Sequence, residues 1–453
     1  MKLVNPATGD VIRGHEPASW DDVGRRIAAL EQGNARWRDT PIAERARLIG
    51  AVAPLLRQHA REYAELMARE MGKPIAQGRG EIDKCAWLCE HYAAAGPDMI
   101  APLQVATEAR RSWVSFQPLG TVLAVMPWNF PFWQVFRAAV PALLAGNTML
   151  LKHASNVPGS AIAIEEVFGE AGLPPDTFAV ALADAELVPR IIAHPGIAAV
   201  TLTGSVSAGR AVARVAGENL KKTVLELGGS DAYLVLADAD VAAAAQLCAR
   251  SRLINGGQSC IAAKRFVVDS SISADFESAM VERMRAAVMG DPMQEETEVG
   301  PMAREDLRDE LHRQVQDSVA RGARLLLGGE VPRQPGAWYP PTVLADVGPG
   351  MPAYDEELFG PVAAIITAAG TQDAIRIAND SRFGLGAAVL TADAERGAAI
   401  AEHQLVAGSC FVNALVKSDP RLPFGGVRDS GYGRELSEFG IREFVNIKTV
   451  WVE

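Results

Sequence analysis

A cysteine with open backbone around it is the first candidate for chemistry in this sequence. Cys260 ends the segment Asn255-Gly256-Gly257-Gln258-Ser259-Cys260, whose two glycines leave amide groups that can face a reacting atom. The thiolate form of a cysteine is nucleophilic. A free cysteine is more often a buried structural residue, so this segment alone leaves both interpretations open.

Glu226 is a second candidate, because it ends an apolar strand. It is followed by Leu227-Gly228-Gly229, a glycine turn that lets another part of the chain approach closely. A buried carboxylate costs free energy unless it has a partner or a function. Since burial raises the pKa of a carboxyl group, Glu226 is suited to act as a general base on water.

Two further segments lie where strands end and helices begin. In Pro127-Trp128-Asn129-Phe130-Pro131, a helix is predicted to begin near Pro131. The Asn129 side chain can cap that helix or donate to a developing oxyanion. In Thr203-Gly204-Ser205, a glycine beside a helix start suits a dinucleotide phosphate, although the segment lacks the full G-x-G-x-x-G pattern.

Alternating strands and helices must position these residues. Apolar residues at helical spacing predict helices from about residue 20 to residue 92, and two strand series joined by right-handed crossovers follow. The pattern is typical of α/β proteins with mostly parallel sheets. The predicted strands are Thr121–Met126, Thr148–Lys152, Phe178–Leu182, Ala198–Thr203 and Thr223–Leu227, then Ala232–Leu236, Phe266–Asp269, Val362–Thr367 and Ala387–Leu390.

The composition excludes several classes of protein. A net charge of -11 without a basic face argues against nucleic-acid binding. No stretch approaches the ~20 apolar residues that cross a bilayer, and the N-terminus lacks a secretory leader. Five cysteines in 453 residues form no disulfide framework, and no His or Cys spacing indicates a metal site. We therefore expect a cytoplasmic enzyme without membrane, nucleic-acid or metal partners.

Taken together, these segments resemble the aldehyde dehydrogenase superfamily over essentially the whole chain. The ordered set with family-like spacing is specific, although no single segment is. It comprises Asn5-Pro6-Ala7-Thr8-Gly9, Pro127-Trp128-Asn129-Phe130-Pro131, Leu151-Lys152, Thr203-Gly204-Ser205, Glu226-Leu227-Gly228-Gly229, Gly257-Gln258-Ser259-Cys260, Glu357-Leu358-Phe359-Gly360-Pro361 and Pro423-Phe424-Gly425-Gly426.

The resemblance implies a reaction. Cys260 would attack an aldehyde, and the Asn129 amide with the Cys260 backbone N–H would hold the oxyanion. Hydride transfer to a nicotinamide would leave a thioester, which water activated by Glu226 would hydrolyse.

The resemblance also implies an NAD(P) site. Lys152 and Glu357 would hold ribose hydroxyls, Phe359 would lie near the nicotinamide, and Gly204 and Ser205 would lie beside the pyrophosphate. The full expected set is Trp128, Lys152, Ser155, Gly204, Ser205, Glu357 and Phe359.

Ser155 bears on the choice of cofactor. Family members strict for NAD often carry a glutamate at this position, three residues after the lysine. A serine removes the repulsion against a 2′-phosphate and can donate a hydrogen bond to it. We expect NADP to be accepted, with NAD use still open.

One arginine indicates the substrate. Trp133 and Arg137 follow Asn129 at helical spacing, and an arginine there suggests an aldehyde with a carboxylate at its far end. This stretch resembles the short bacterial type of succinate-semialdehyde dehydrogenase, and Ser418 matches a position that can touch the carboxylate. Many such enzymes carry a second arginine where this chain has Ile254. A salt bridge at an interface is the alternative for Arg137.

The resemblance implies three parts: a discontinuous Rossmann-like cofactor domain (residues 1–107 and 118–228), an α/β catalytic domain (229–428) and a small β oligomerisation element (108–117 and 429–453). A terminal strand near residues 445–450 needs a sheet edge, so a homodimer or homotetramer is expected.

The alternatives for the function are another semialdehyde or an aliphatic aldehyde as substrate, coenzyme A as acyl acceptor, and a non-catalytic binding protein that kept the fold.

Overall fold

The computed structural model describes the backbone of residues 2–453 and all of their side chains except those of Lys2 and Arg13. The chain begins with a short hairpin and a group of helices: β1 (Lys2–Val4), β2 (Val11–Gly14), α1 (Trp20–Trp37), α2 (Ile42–Gln58), α3 (Ala60–Met71) and α4 (Ile75–Met99).

The next part supplies the strands of the first large sheet and two strands outside it. Its elements are β3 (Leu103–Gln104), β4 (Arg111–Pro118), β5 (Thr121–Met126), α5 (Trp133–Leu144), β6 (Thr148–His153), α6 (Pro158–Glu170), β7 (Phe178–Val180), α7 (Val188–Ala193), β8 (Ile197–Thr203), α8 (Val206–Glu218) and β9 (Lys222–Glu226).

The second large sheet and the C-terminal elements follow. They are β10 (Ala232–Val235), α9 (Val241–Leu253), β11 (Arg265–Asp269), α10 (Ser273–Ala286), α11 (Glu305–Ala320), β12 (Arg324–Leu327), β13 (Thr342–Ala345), α12 (Pro352–Asp355), β14 (Val362–Ala368), α13 (Thr371–Asn379), β15 (Gly386–Leu390), α14 (Ala394–His403), β16 (Ser409–Val412), β17 (Gly431–Tyr432), α15 (Ser437–Ile441) and β18 (Val445–Val452).

Two mostly parallel sheets form the body of the molecule, which confirms the α/β prediction. Within the described residues the first sheet has the order β17-β9-β8-β5-β6-β7, and the second has the order β12-β13-β14-β11-β10-β15-β16. In the first sheet β17 is antiparallel to β9, and in the second β12 is antiparallel to β13. Each strand predicted from an apolar run is present, with ends that differ by at most two residues.

The topology explains why the candidate residues come together. Parallel strands place their carboxyl ends at one edge of a sheet, and ligands bind beside that edge. In the first sheet Asn129 follows β5, Lys152 lies at the end of β6, Gly204 follows β8, and Glu226 ends β9. Cys260 and Glu357 instead precede β11 and β14, neighbouring parallel strands of the second sheet.

Local sequence determines how the helices pack behind these strands. Helix α1 begins after Ser19, which forms a reciprocal capping box with Asp22. Its buried residues Val23, Ile27 and Leu30 are spaced by four and three, so one helix face enters the core. Helices α2, α4 and α5 pack against one another and bury a second, larger apolar cluster with β5 and β6.

The last strand lies in a separate small sheet. Over its whole length β18 pairs antiparallel with β4, from Val445 opposite Pro118 to Val452 opposite Arg111, and β3 completes the sheet. The terminal strand thus finds a sheet edge within its own chain, and its side chains Ile447 and Trp451 stay exposed. The division of the chain into three domains stays a prediction.

In the described part of the chain, no helix is long and apolar enough to span a membrane. No cluster of three or more His, Cys, Asp or Glu side chains able to hold a metal ion occurs among residues 2–453, leaving aside the two undescribed side chains.

Asn147 connects the C-terminal segment to the first sheet. Its Oδ1 accepts hydrogen bonds from the backbone N–H groups of Leu119 (2.8 Å) and Gly120 (3.1 Å). Its Nδ2 donates to the carbonyls of Ala142 (3.1 Å) and Phe444 (2.9 Å), directly before β18. The residue is fully buried, so water cannot replace these partners.

We therefore expect Asn147→Ala to lower the free energy of unfolding in urea by about 3 kcal/mol, because buried backbone groups lose their partners. Asn219→Ala is the matched control, since the exposed Asn219 makes one local hydrogen bond to Val215; its effect should stay within about 0.5 kcal/mol. Equal effects of the two substitutions would contradict this account.

Candidate active site

The nucleophile segment adopts a conformation that depends on glycine. Between α9 and β11, three consecutive residues have positive φ: Asn255 (54°), Gly256 (60°) and Gly257 (75°). A Cβ added at Gly257 would lie 2.2 Å from the carbonyl oxygen of Gly360. The turn is therefore closed to larger residues, and it turns the chain so that Cys260 is partly exposed before β11.

A buried lysine that the sequence analysis missed holds this segment. The ammonium group of Lys264 donates to the carbonyls of Ser259 (2.8 Å) and Cys260 (2.7 Å), and it lies 3.4 Å from the Glu357 carboxylate. Lys264 has no exposed surface. Its one signal in the sequence was a charged residue directly before an apolar strand.

Asn129 is fixed against the same segment. Its Nδ2 donates to the Gln258 carbonyl (3.0 Å), and its Oδ1 accepts from Gln134 (3.0 Å). Its own backbone carbonyl accepts from the Asn255 amide at 2.7 Å. These bonds orient the Asn129 side chain and use one of its two amide hydrogens, so the other can serve an oxyanion.

The alternative role of Asn129 as a helix cap is wrong. Helix α5 begins at Trp133, two residues beyond the predicted start near Pro131. The backbone N–H groups of Phe132 and Trp133 both donate to Glu81 Oε1 at 2.9 Å. A carboxylate from α4 therefore satisfies the start of α5, and Asn129 is left for another role.

Glu226 is buried with no hydrogen-bond partner for either carboxylate oxygen in the described part of the chain. Burial raises the pKa of Glu226 well above its usual range. The charge of Glu435 raises it further, while Arg137 and Arg434 lower it. A Cβ added at Gly425 would lie 2.8 Å from Glu226 Oε1, so the close approach of that glycine helps to enclose the carboxyl group. A carboxyl group with a raised pKa accepts a proton more readily than an exposed one, as a general base requires.

Cys260 is held as a thiol at neutral pH. Burial raises the pKa of Cys260 to about 12, and the charges of Glu357 and Glu226 raise it as well. The charges of Arg137 and Lys264 act in the opposite direction. Attack on an aldehyde therefore requires that the thiol proton leave at the same time or beforehand.

Residues expected to bind the cofactor lie on one side of Cys260. The rings of Trp128 and Phe359 meet edge to face with centroids 5.8 Å apart. Glu357 accepts a hydrogen bond from the Gly229 N–H (3.0 Å), and a Cβ added at Gly228 would lie 2.4 Å from its second oxygen. Gly228 is thus required for the approach of Glu357.

The remaining donors in this region fit a phosphorylated dinucleotide. Ser205 caps α8, accepts a hydrogen bond from the Ala208 N–H (3.2 Å) and is exposed next to Gly204. Lys152 is buried, and burial lowers the pKa of its ammonium group. Ser155 presents an exposed hydroxyl three residues further on. Backbone and side-chain donors of this kind suit phosphate and ribose oxygens.

On the other side, a cavity of about 770 Å³ reaches Cys260. Trp133, Arg137 and Ser418, the residues predicted to bind substrate, all line it, and so does Ile254. The structure thus brings the three predicted residues together in one cavity, and their role in binding substrate stays a prediction. The sequence analysis did not identify Lys84 and Glu81, which reach the cavity from α4.

The charge of Arg137 is already matched within the protein. Its guanidinium forms a buried ion pair with Glu435, lies 4.5 Å from the ring centroid of Phe424 and contacts Thr203 Oγ1 at 3.4 Å. The sequence analysis left open a salt bridge at an interface, and the observed ion pair is instead buried within the chain. A guanidinium so engaged is a weaker anchor for a substrate carboxylate than an unpaired one.

Residues 1–450 match the model of the aldehyde dehydrogenase family. The chain belongs to this family. It is 48% identical over 448 residues to the succinate semialdehyde dehydrogenase [NAD(P)+] Sad of Escherichia coli, covering 99% of this chain and 97% of that protein. It is 45% identical to the probable succinate-semialdehyde dehydrogenase [NADP(+)] of Synechocystis, covering 100% and 99%.

A solved structure has the same fold. The succinic semialdehyde dehydrogenase of Streptococcus pyogenes, determined in complex with NADP+, superposes with a TM-score of 0.97 at 35% identity, covering 100% of this chain and 99% of that one. The aldehyde dehydrogenase fold is thereby confirmed for this chain, which is an NAD(P)-dependent aldehyde dehydrogenase.

The raised pKa of Cys260 gives a direct prediction for the aldehyde dehydrogenase without ligands. Its alkylation by iodoacetamide should accelerate by about tenfold for each pH unit between about pH 7 and pH 9, because the thiolate is the reacting form and remains scarce. The Cys260→Ala variant gives the background rate of alkylation, which comes from the partly exposed Cys410. A rate that levels off below pH 9 would show that the thiol ionises more readily than its burial indicates.

Proposed function

We propose that this aldehyde dehydrogenase oxidises succinate semialdehyde to succinate. The observation that carries the proposal is the charge of the cavity next to Cys260, where four basic side chains, apart from the paired Arg137, stand against two acidic ones. The four basic residues are Lys84, Arg250, Arg283 and Lys417, and the acidic residues are Glu81 and Glu298. An excess of positive charge favours an anionic aldehyde over a neutral one. The names of the relatives support the same substrate.

The first chemical step uses Cys260 and Asn129. The thiol proton of Cys260 leaves to water, the sulfur bonds to the aldehyde carbon, and the carbonyl oxygen takes up negative charge. The free amide hydrogen of Asn129 and the backbone N–H of Cys260 stabilise that oxyanion, since both are fixed before the reaction. A nicotinamide cofactor held by Lys152 and Glu357 would accept the hydride from this carbon, which would leave a thioester on Cys260.

The second step uses Glu226. Its buried carboxylate takes a proton from water, the hydroxide oxygen bonds to the thioester carbon, and the carbon–sulfur bond breaks. The acid leaves, and Cys260 regains its proton. A carboxyl group with a raised pKa suits this step because it accepts a proton from water more readily than an exposed carboxylate does.

For the cofactor we infer that NADP is accepted and that NAD is used as well. Lys152 and Glu357 would hold ribose hydroxyls, Gly204 and Ser205 would lie beside the pyrophosphate, and the exposed hydroxyl of Ser155 would lie near the 2′ position. The donor set without a carboxylate there supports a 2′-phosphate. One relative is named for NADP(+) and another for NAD(P)+.

We further propose a homodimer or homotetramer in the cytoplasm. The three-stranded sheet of β3, β4 and β18 has exposed apolar side chains that suit contact with a second copy. All five cysteines, which lie in the described part of the chain, are free thiols. Free thiols are typical of a reducing compartment.

The test compares two aldehydes by following reduction of NADP and NAD. We expect kcat/KM for succinate semialdehyde to exceed that for uncharged butanal by about a hundredfold or more, about 2.7 kcal/mol of transition-state preference. Similar values for the two aldehydes would contradict the substrate assignment. No reduction with any aldehyde would contradict the proposed activity itself.

A further inference from the structure

Lys84 brings a positive charge into the cavity without an acidic partner. Its Nζ donates to Ser418 Oγ at 2.7 Å and lies 4.1 Å from the ring centroid of Trp133. The residue is half-buried on α4 and lines the cavity that reaches Cys260. Among the side chains that the structure describes, no carboxylate lies within ion-pair distance of Lys84.

The nearest acids are already occupied. Glu81, one turn earlier on α4, forms a buried ion pair with Lys73 and accepts from the start of α5. Asp419, next to Ser418, is paired with Arg421 at 2.7 Å. Neither carboxylate is available to balance Lys84, so this charge is left for a ligand.

The other cations of the cavity are less suited to this role. Arg137 is paired with Glu435. Arg250, Arg283 and Lys417 are exposed side chains, where solvent weakens their attraction for an anion. Ile254 contributes only apolar surface at its position in the wall.

We propose that Lys84 and Ser418 together bind the carboxylate of the substrate, with Lys84 supplying the charge. The inference rests on the proposed function and specifies which groups give it selectivity. Because Lys84 donates to Ser418 Oγ, the serine hydroxyl hydrogen is free to donate to a carboxylate oxygen. The ammonium group keeps two further hydrogens for the same carboxylate. The Trp133 ring covers one face of the ammonium group and leaves the cavity side open to the anion.

The ionisation of Lys84 gives the proposal a pH signature. Burial lowers the pKa of Lys84 to about 8, and the positive charge of Arg137 lowers it further. Cys85 and Glu81 on α4 and Asp419 in the facing loop act in the opposite direction. Lys84 is therefore charged at neutral pH and loses its charge as the pH rises through about 8. Selectivity for an anionic aldehyde should fall over the same range.

The main experiment measures the ratio of kcat/KM for succinate semialdehyde to kcat/KM for butanal. Lys84→Met keeps the length of the side chain and removes its charge, and we expect it to lower this ratio at least about 30-fold, mainly through KM. Lys448→Met is the matched control, because it removes the same charge from an exposed lysine that does not line the cavity; the ratio should change by less than about threefold. Unchanged selectivity in Lys84→Met, or an equal loss in both variants, would overturn the proposal.

Two further measurements distinguish the loss of the Lys84 charge from a change in the structure of the variant. In the native enzyme the ratio should fall above about pH 8, and Lys84→Arg should abolish that fall because arginine stays charged. Succinate should slow iodoacetamide alkylation of Cys260 in the native protein much more than butanoate does, and it should lose this advantage in Lys84→Met. Equal protection by succinate in the native protein and in Lys84→Met would also overturn the proposal.

The measurements distinguish an error in the proposed substrate from an error in the role of Lys84. If the native enzyme shows no preference for succinate semialdehyde, the proposed substrate is wrong and this inference falls with it. If the native enzyme has the preference and Lys84→Met retains it, the substrate stands and the assignment of Lys84 is wrong.

Discussion

The ammonium group of Lys264 holds the two halves of the active site at a fixed separation. It binds the carbonyls of Ser259 and Cys260 on the nucleophile side and lies against the Glu357 carboxylate on the cofactor side. A buried ammonium group is costly unless acceptors and opposite charge surround it, and here two carbonyls and the Glu357 carboxylate do so. The positive-φ turn at Gly257 brings the same two segments together, because a Cβ there would lie 2.2 Å from the carbonyl oxygen of Gly360.

A second constraint is the interaction of the buried Arg137 guanidinium with two buried carboxyl groups near Cys260. Arg137 pairs with Glu435, and it is also the first of the cations that stabilise the charged form of Glu226. One guanidinium thus faces two buried carboxyl groups, and the pKa of Glu435 is raised along with that of Glu226. Because burial and the second carboxyl group outweigh Arg137 and Arg434, this cluster retains a proton readily. That property suits a base that must cycle between its charged and neutral forms, whereas a fully matched ion pair would remain charged throughout.

Much of the fold and part of the site could be predicted from the sequence. Apolar runs marked the central strands because both faces of a parallel sheet are buried, and strand ends marked Asn129, Gly204 and Glu226. The sequence did not predict which side chains reach the site from elements that are distant along the chain. Glu81 and Lys84 lie on α4 within an ordinary amphipathic pattern, and Glu435 lies far along the chain from Arg137. Only the tertiary structure shows that Arg137 is paired and Lys84 is not, so the roles of these two cations could not be distinguished beforehand.

The central claim is that a thioester on Cys260 is hydrolysed by water activated by Glu226. The most direct test is intact-mass and peptide analysis of Glu226→Gln protein quenched in acid shortly after mixing with succinate semialdehyde and NADP. The account predicts one succinyl group on Cys260 in this variant and none on the native enzyme quenched after the substrate is consumed, because the amide cannot accept the proton of water. Reduction of the cofactor without any adduct, or an adduct on another residue, would contradict it.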